Sequence, residues 1–209
     1  MRRLLVAVVL LGVLGGCANT PPLVGEPAPT LDDPKAEAAY MAVLDRYSDR
    51  KEIYDGFDTR IFAGATLQTP VFRDARVRRR ALFQTLPAAK VESLLAEEQA
   101  EAAQFHEFFL GVHVNDSRYD DFANRNSIWR IALVTPAGEV TPVEVRRIGR
   151  ADLNVRAYYP YTTLFWVGYR VRFPLTFSGG QPVIPEGTDQ VMLRVASSLG
   201  SAELKVKAH

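Results

Sequence analysis

The chain of 209 residues carries 25 Lys and Arg against 24 Asp and Glu, and 47% of it is apolar. That is enough apolar material for one core, and it excludes a disordered, collagen-like or disulfide-rich chain. A formal charge of +1 excludes a generalist nucleic-acid binder, which would be visibly basic. At the start, Arg2 and Arg3 precede an uncharged run rich in Leu and Val, from Leu4 to Gly16. As a helix this run reaches about 20 Å, short of the roughly 30 Å hydrocarbon layer, so it reads as a secretory signal rather than a membrane span.

The run ends in Leu14-Gly15-Gly16-Cys17. An aliphatic residue, two small ones and a cysteine resemble the lipobox of bacterial lipoprotein precursors. The resemblance covers residues 1–17 and implies cleavage after Gly16, diacylglycerol on the Cys17 thiol, and an acyl chain such as palmitate on the new amino group. No other cofactor is implied. Cys17 is the single cysteine of the chain, so no internal disulfide competes for its thiol. Several acyl chains, at about 0.8 kcal/mol per buried methylene, make a durable anchor in membrane lipid. Position 18 is Ala. An aspartate there resembles an inner-membrane retention signal, so its absence favours the outer membrane over the inner one within a bacterial envelope.

Residues 17–34 then form a Pro-rich tether, with five prolines between Ala18 and Pro34 and almost no apolar pattern. Asp33 and Pro34 read as a helix cap and first helical residue. Ala36, Tyr40, Val43, Leu44 and Tyr47 recur at helical spacing, predicting an amphipathic helix over 35–54. A moderate strand signal follows over Thr59–Thr69. Thr69-Pro70 opens a helical hairpin over 70–104, broken at Pro87, with Phe72, Ala75, Leu82, Phe83 and Leu86 inward on its first arm. Val91, Leu94, Leu95 and Ala102 face inward on the second. The first arm carries net +4 from Arg73, Arg76, Arg78, Arg79 and Arg80 against Asp74; the second carries net −3. Antiparallel pairing of the two arms is electrostatically sensible.

From Phe105 the period changes to 2. Phe108, Leu110, Val112 and Val114 share one face and Glu107, Phe109, Gly111 and His113 the other. Further alternation runs through Trp129–Leu133, Val143–Arg147, Tyr159–Phe173, Val191–Val195 and Leu204–Val206. These segments predict a mainly β single domain over 35–209: an antiparallel, immunoglobulin-like sandwich with an N-terminal helix and the helical hairpin inserted between strands.

No hydrolase elbow, phosphate-binding loop, dinucleotide fingerprint or metal-ligand motif occurs in the sequence. His106 and His113 are an odd number of residues apart, so one strand points them to opposite faces and they share no metal. The NDSRYDD stretch, with Asn115, Asp116, Asp120 and Asp121, lacks the glycine and twelfth-position glutamate of a calcium loop and reads as a turn. The segment 158–173 is the richest candidate surface: its even face presents Tyr158, Leu164, Trp166, Arg170 and Arg172, residue types enriched at interaction hot spots. The sequence therefore predicts a non-enzymatic, membrane-anchored envelope lipoprotein acting as a protein-interaction or structural module. It is lipidated at Cys17, and its contacts are made by Trp166, Arg170, Arg172, Arg76 and Arg80. The alternative is a glycan- or small-ligand-binding lipoprotein using a cleft between hairpin and sandwich.

Overall fold

The computed structural model of the protein describes residues 27–55 and 58–209. The signal, Cys17 and the tether through residue 26 lie outside the described residues. Helix α1 (Pro34–Arg46) begins as its cap predicts: the Asp33 carboxylate accepts the Lys35 amide at 2.9 Å and Pro34 holds the first position. It ends eight residues before the predicted boundary at 54. After Tyr47 the chain becomes strand β1 (Ser48–Asp55), which pairs antiparallel with β2 (Asp58–Leu67). The consecutive charges of Asp49, Arg50, Lys51 and Glu52 suit an exposed helix as well as an edge strand. The ladder to β2 and a Ser48–Thr66 hydroxyl pair at 2.7 Å decide for the strand. The end of the tether is docked rather than free: the Pro29 carbonyl accepts from Arg79 at 3.1 Å and the Leu31 amide donates to Glu37 at 2.9 Å.

Helix α2 (Pro70–Gln84) is capped by the Thr69 hydroxyl, which accepts the Phe72 amide at 3.2 Å, and it closes on Thr85 at φ 49°. Helix α3 (Ala88–Ala102) returns alongside it. The two connect β2 to β3 (His106–Val114), which are directly paired antiparallel strands, so the hairpin is an insertion at that connection. The chain continues through β4 (Arg130–Thr135), β5 (Gly138–Val140), β6 (Glu144–Arg150), helix α4 (Leu153–Tyr158), β7 (Val167–Phe173), β8 (Gln190–Ser197) and β9 (Gly200–Lys207).

Among the described residues these strands form two antiparallel sheets, ordered β1-β2-β3-β7-β6 and β5-β4-β8-β9. The predicted alternation sets their inner faces. Ile61, Leu110, Tyr169, Val171 and Phe173 from the first sheet share one buried cluster with Leu133, Leu193, Val195, Leu204 and Val206 from the second. Full burial of such side chains contributes about 1.5–3 kcal/mol each. The helices cover the outer face of the larger sheet, where Phe109 meets Tyr40, Leu44, Tyr47, Phe72 and Tyr159 in a second cluster. The architecture is therefore mixed, two open antiparallel sheets packed with helices. The strand order also departs from the immunoglobulin constant arrangement, in which the third strand crosses to the other sheet. Here β1, β2 and β3 run as a meander within one sheet.

The predicted strand over Tyr159–Phe173 starts only at Val167. Asp152 caps α4 by accepting the Val155 amide at 2.9 Å, and residues 159–166 then turn back across the sheet. Gly64 and Gly111 make room for them, in a row where Gly64, Gly111, Gly168 and Gly149 are successive cross-strand partners on β2, β3, β7 and β6. A Cβ on Gly64 would sit 2.6 Å from the Tyr161 ring, one on Gly111 would lie 3.2 Å from Trp166, and one on Gly168 would lie 2.9 Å from Phe109. The missing side chains let aromatic rings lie directly on the backbone of the sheet.

Candidate functional site

The face of β7 opposite the core carries Arg170 and Arg172 toward the hairpin. Across from them, α2 presents Arg73 and Arg76 while α3 presents Glu98 and Glu101. Glu107 on β3 lies between. Helical spacing explains the first set, since residues 73, 76 and 80 lie on neighbouring turns of one face. Strand alternation explains the second, since Glu107, Arg170 and Arg172 all point away from the core.

Arg73 is 2% exposed. Its Nε donates to the Gln68 carbonyl at 2.9 Å, and Nη1 donates to Glu98 at 2.5 Å and lies 3.6 Å from Glu101. Its Nη2, 3.6 Å from Glu107, has no hydrogen-bond partner among the described residues. Arg76 donates to the other Glu98 oxygen at 2.6 Å and to the Tyr159 hydroxyl at 3.3 Å. Burial works against the Arg76 charge, but Tyr159, Glu98 and Glu107 outweigh it and hold its proton more tightly than usual. Arg172 bridges Glu107 at 2.8 Å, Glu101 at 3.2 Å and Glu144 at 3.3 Å. Arg73 and Arg76 pair the two arms through Glu98, as their opposite net charges suggested, and Glu101, Glu107 and Arg172 extend the run of alternating charges to the sheet. Glu98 and Glu107 are each shared by two or more arginines, so both carboxylates are committed to holding the layers together.

In front of this run opens a cleft of about 290 Å³, lined by Arg76, Arg80, Glu97, Glu101, Tyr158 and Arg170 among others. It continues under Tyr159 into a smaller space of about 200 Å³ that also touches Arg76, Glu107 and Arg170. Three of the five predicted contact residues, Arg76, Arg80 and Arg170, therefore meet at one cleft. Arg172 lies behind it in the ion network. Arg80 donates to Gln84 on its own helix at 2.9 Å, and the nearest carboxylate to Arg170 among the described residues is Glu107 at 3.7 Å. Among the described residues these two guanidinium groups keep free donors at the cleft wall.

Trp166 is separated from this group. It is 9% exposed and lies over Gly111 and edge-on to Tyr161, at the border of another recess formed with Arg50, Tyr54 and Phe62. Its ring therefore serves mainly as packing over the glycine row.

Sequence reasoning missed Arg73, Arg79 and Glu107 as buried ionic partners, and half-buried Glu98 as the carboxylate that joins the two arms. For Arg79 a signal was present: residues 72, 76, 79 and 83 form one helical stripe, which places a guanidinium in line with Phe72 and Phe83. Conversely Leu82, read as inward, is 58% exposed. The NDSRYDD segment is the expected turn. Asp116 accepts the Arg118 amide at 3.1 Å, and Asp120 binds Arg147 at 2.9 Å and the Tyr169 hydroxyl at 2.6 Å. Among the described residues no group of three His, Cys, Asp or Glu is placed to hold a metal, and no helix is long and apolar enough to cross a membrane.

No family model matches the chain, and no curated protein matches it. Among solved structures it is similar to a protein of unknown function from Burkholderia pseudomallei. The two share 8% identity at a TM-score of 0.41, over 83% of this chain and 84% of the other.

Proposed function

We propose that the chain is a bacterial envelope lipoprotein, held by diacylglycerol and an N-acyl chain on Cys17. In this reading its folded body is a non-enzymatic module that contacts another envelope protein, at the outer membrane rather than the inner one. The observation that carries the contact surface is the convergence of Arg80 from α2 and Arg170 from β7 on one cleft, each with unengaged guanidinium donors. Planar, bidentate donors of this kind select carboxylate or phosphate groups on a partner. The adjoining Glu97 and Glu101 reject a partner that is merely acidic all over. The ion-paired carboxylates behind the cleft support a positioning role rather than proton transfer. Tethering raises the effective concentration of the cleft at the bilayer.

Two measurements test the reading. Metabolic labelling with a fatty-acid analogue is expected to mark the wild-type chain and to leave Cys17→Ala unmarked; an unlabelled wild type removes the anchor. Cross-linking in intact cells is expected to capture a partner that the double variant R80E/R170E loses, and unchanged cross-links remove the cleft as the contact. A second reading, small-ligand or glycan binding, rests on the position of the cleft between hairpin and sheet, whose volume falls just under the usual range for ligand sites. Thermal shifts of the purified chain with acidic sugars, abolished by Arg170→Ala, would favour it.

A further inference from the structure

The far end of the hairpin carries an apolar surface that the ion network does not use. Leu82 is 58% exposed, while Leu86, Val91 and Leu95 are half-buried around a groove of about 770 Å³. Helix α3 buries one residue, Leu94, and packs chiefly on α2, so this end of the hairpin stands off the main core. The charged side chains that line the groove are Arg78, paired with Asp74 on its own helix, and Glu92.

The course of the tether says what covers this surface. Pro29 is fixed to Arg79 on α2, 3.1 Å from carbonyl to Nη2. Arg79 and Gln84, the last residue of α2, are five residues apart, about 8 Å along the helix, and Leu86 follows just beyond. From Pro29 back to Cys17 the chain can span at most roughly 40 Å. The described chain therefore starts on α2, within reach of the apolar end of the hairpin for a lipid on Cys17.

We propose that this end of the hairpin is a second membrane contact, in which Leu82, Leu86, Val91 and Leu95 settle into the interface of the bilayer that holds the lipid on Cys17, while Arg78 and Glu92 on the groove rim stay at headgroup level. The proposal rests on the anchored reading above. A short apolar patch is weak alone, but a covalent lipid brings it to the surface repeatedly, and paired signals of this kind give stable association. The contact also fixes orientation, since a body held at two points cannot swing freely about its tether.

Leu82→Trp on the full chain is the direct probe, because Leu82 is exposed and the native Trp129 and Trp166 are only 6% and 9% exposed. The chain is mixed with phosphatidylethanolamine–phosphatidylglycerol vesicles with or without brominated acyl chains. The introduced indole is expected to shift to the blue and to lose emission in brominated vesicles. A matching probe at Val143 is expected to show neither change, since the Val143 amide is bonded to Arg172, the partner of Glu101 at the opposite end of α3. Absence of quenching at position 82 overturns the proposal, whether or not the chain carries fatty-acid label. Label and flotation without quenching leave the anchor intact and remove only the hairpin contact. Quenching that survives Cys17→Ala supports the contact as independent of the lipid. Concentration-dependent cross-linking between Leu82 positions, without quenching, assigns the surface to a second copy and overturns the proposal.

Discussion

One guanidinium joins three segments at Arg79. Its Nε donates to the Ala157 carbonyl at 2.7 Å, Nη1 and Nη2 grip Glu37 at 2.6 and 3.0 Å, and its plane lies 4.3 Å over the Tyr40 ring. A lysine supplies neither the fork nor the plane. Arg79→Lys is therefore expected to lower stability by about 2–4 kcal/mol, because Glu37 and the Ala157 carbonyl lose their partner; urea unfolding at pH 7 measures it. Burial raises the pKa of Glu37, but the Arg79 hydrogen bonds, the Leu31 amide and the Arg79 charge outweigh it and hold the carboxyl below its usual range. The contribution of Glu37 is thus complete above the ordinary carboxylate value and is lost as pH falls through the lower folded value. Gly64 is constrained by a different force. The Tyr161 ring 2.6 Å from its would-be Cβ is held in place by the Thr66 hydroxyl at 2.7 Å. Because that ring cannot swing aside freely, Gly64→Ala is expected to cost about 1–3 kcal/mol and to alter the near-ultraviolet dichroism.

Helix α3 is held differently from the other elements. With Leu94 as its one buried residue, its attachment depends on Glu98 accepting from Arg73 and Arg76 together. Its amides are expected to exchange faster than those of β3, and Glu98→Gln to speed α3 exchange roughly tenfold while β3 is unchanged. Equal acceleration in both would mean that the hairpin opens only with the whole molecule. The elements that were legible in the sequence are those fixed by neighbours in the chain. The Asp33-Pro34 and Thr69-Pro70 starts depend on one side-chain bond each, and the alternation in β8 and β9 follows from one buried face. Three features were not legible because their causes are distant. The charged stretch after Tyr47 becomes a strand only because β2 offers a ladder. The aromatic run 159–166 turns back over Gly64 and Gly111, which are far apart in the sequence and meet only through the register of β2 with β3. At the cleft, the arginines were visible as types and Arg76 with Arg80 as helical neighbours. Their meeting with Arg170 required the register of β3 with β7.

At the scale of the molecule, an apolar core between the sheets is overlaid by a helical layer attached through ions and aromatic rings, so acid acts unevenly on the two. His106 shows the direction. It starts β3 opposite Phe173, and burial, with a smaller effect from nearby His209, lowers its pKa to about 4 from 6.5. Between those values the unfolded chain binds a proton that the folded chain refuses, so stability falls as pH falls across that window. Glu37 adds a loss of the same sign at more acid pH, where its contact with Arg79 fails. Acid therefore weakens the start of β3 first and then the seam between α1 and α2, before the apolar core between the sheets is affected. Unfolding midpoints at pH 7, 5.5 and 4.5 are expected to drop progressively in the wild type. In His106→Gln the drop should be smaller over this range, since glutamine has no proton to refuse. A variant whose midpoints fall in parallel with the wild type would show that His106 is not the group that senses acid.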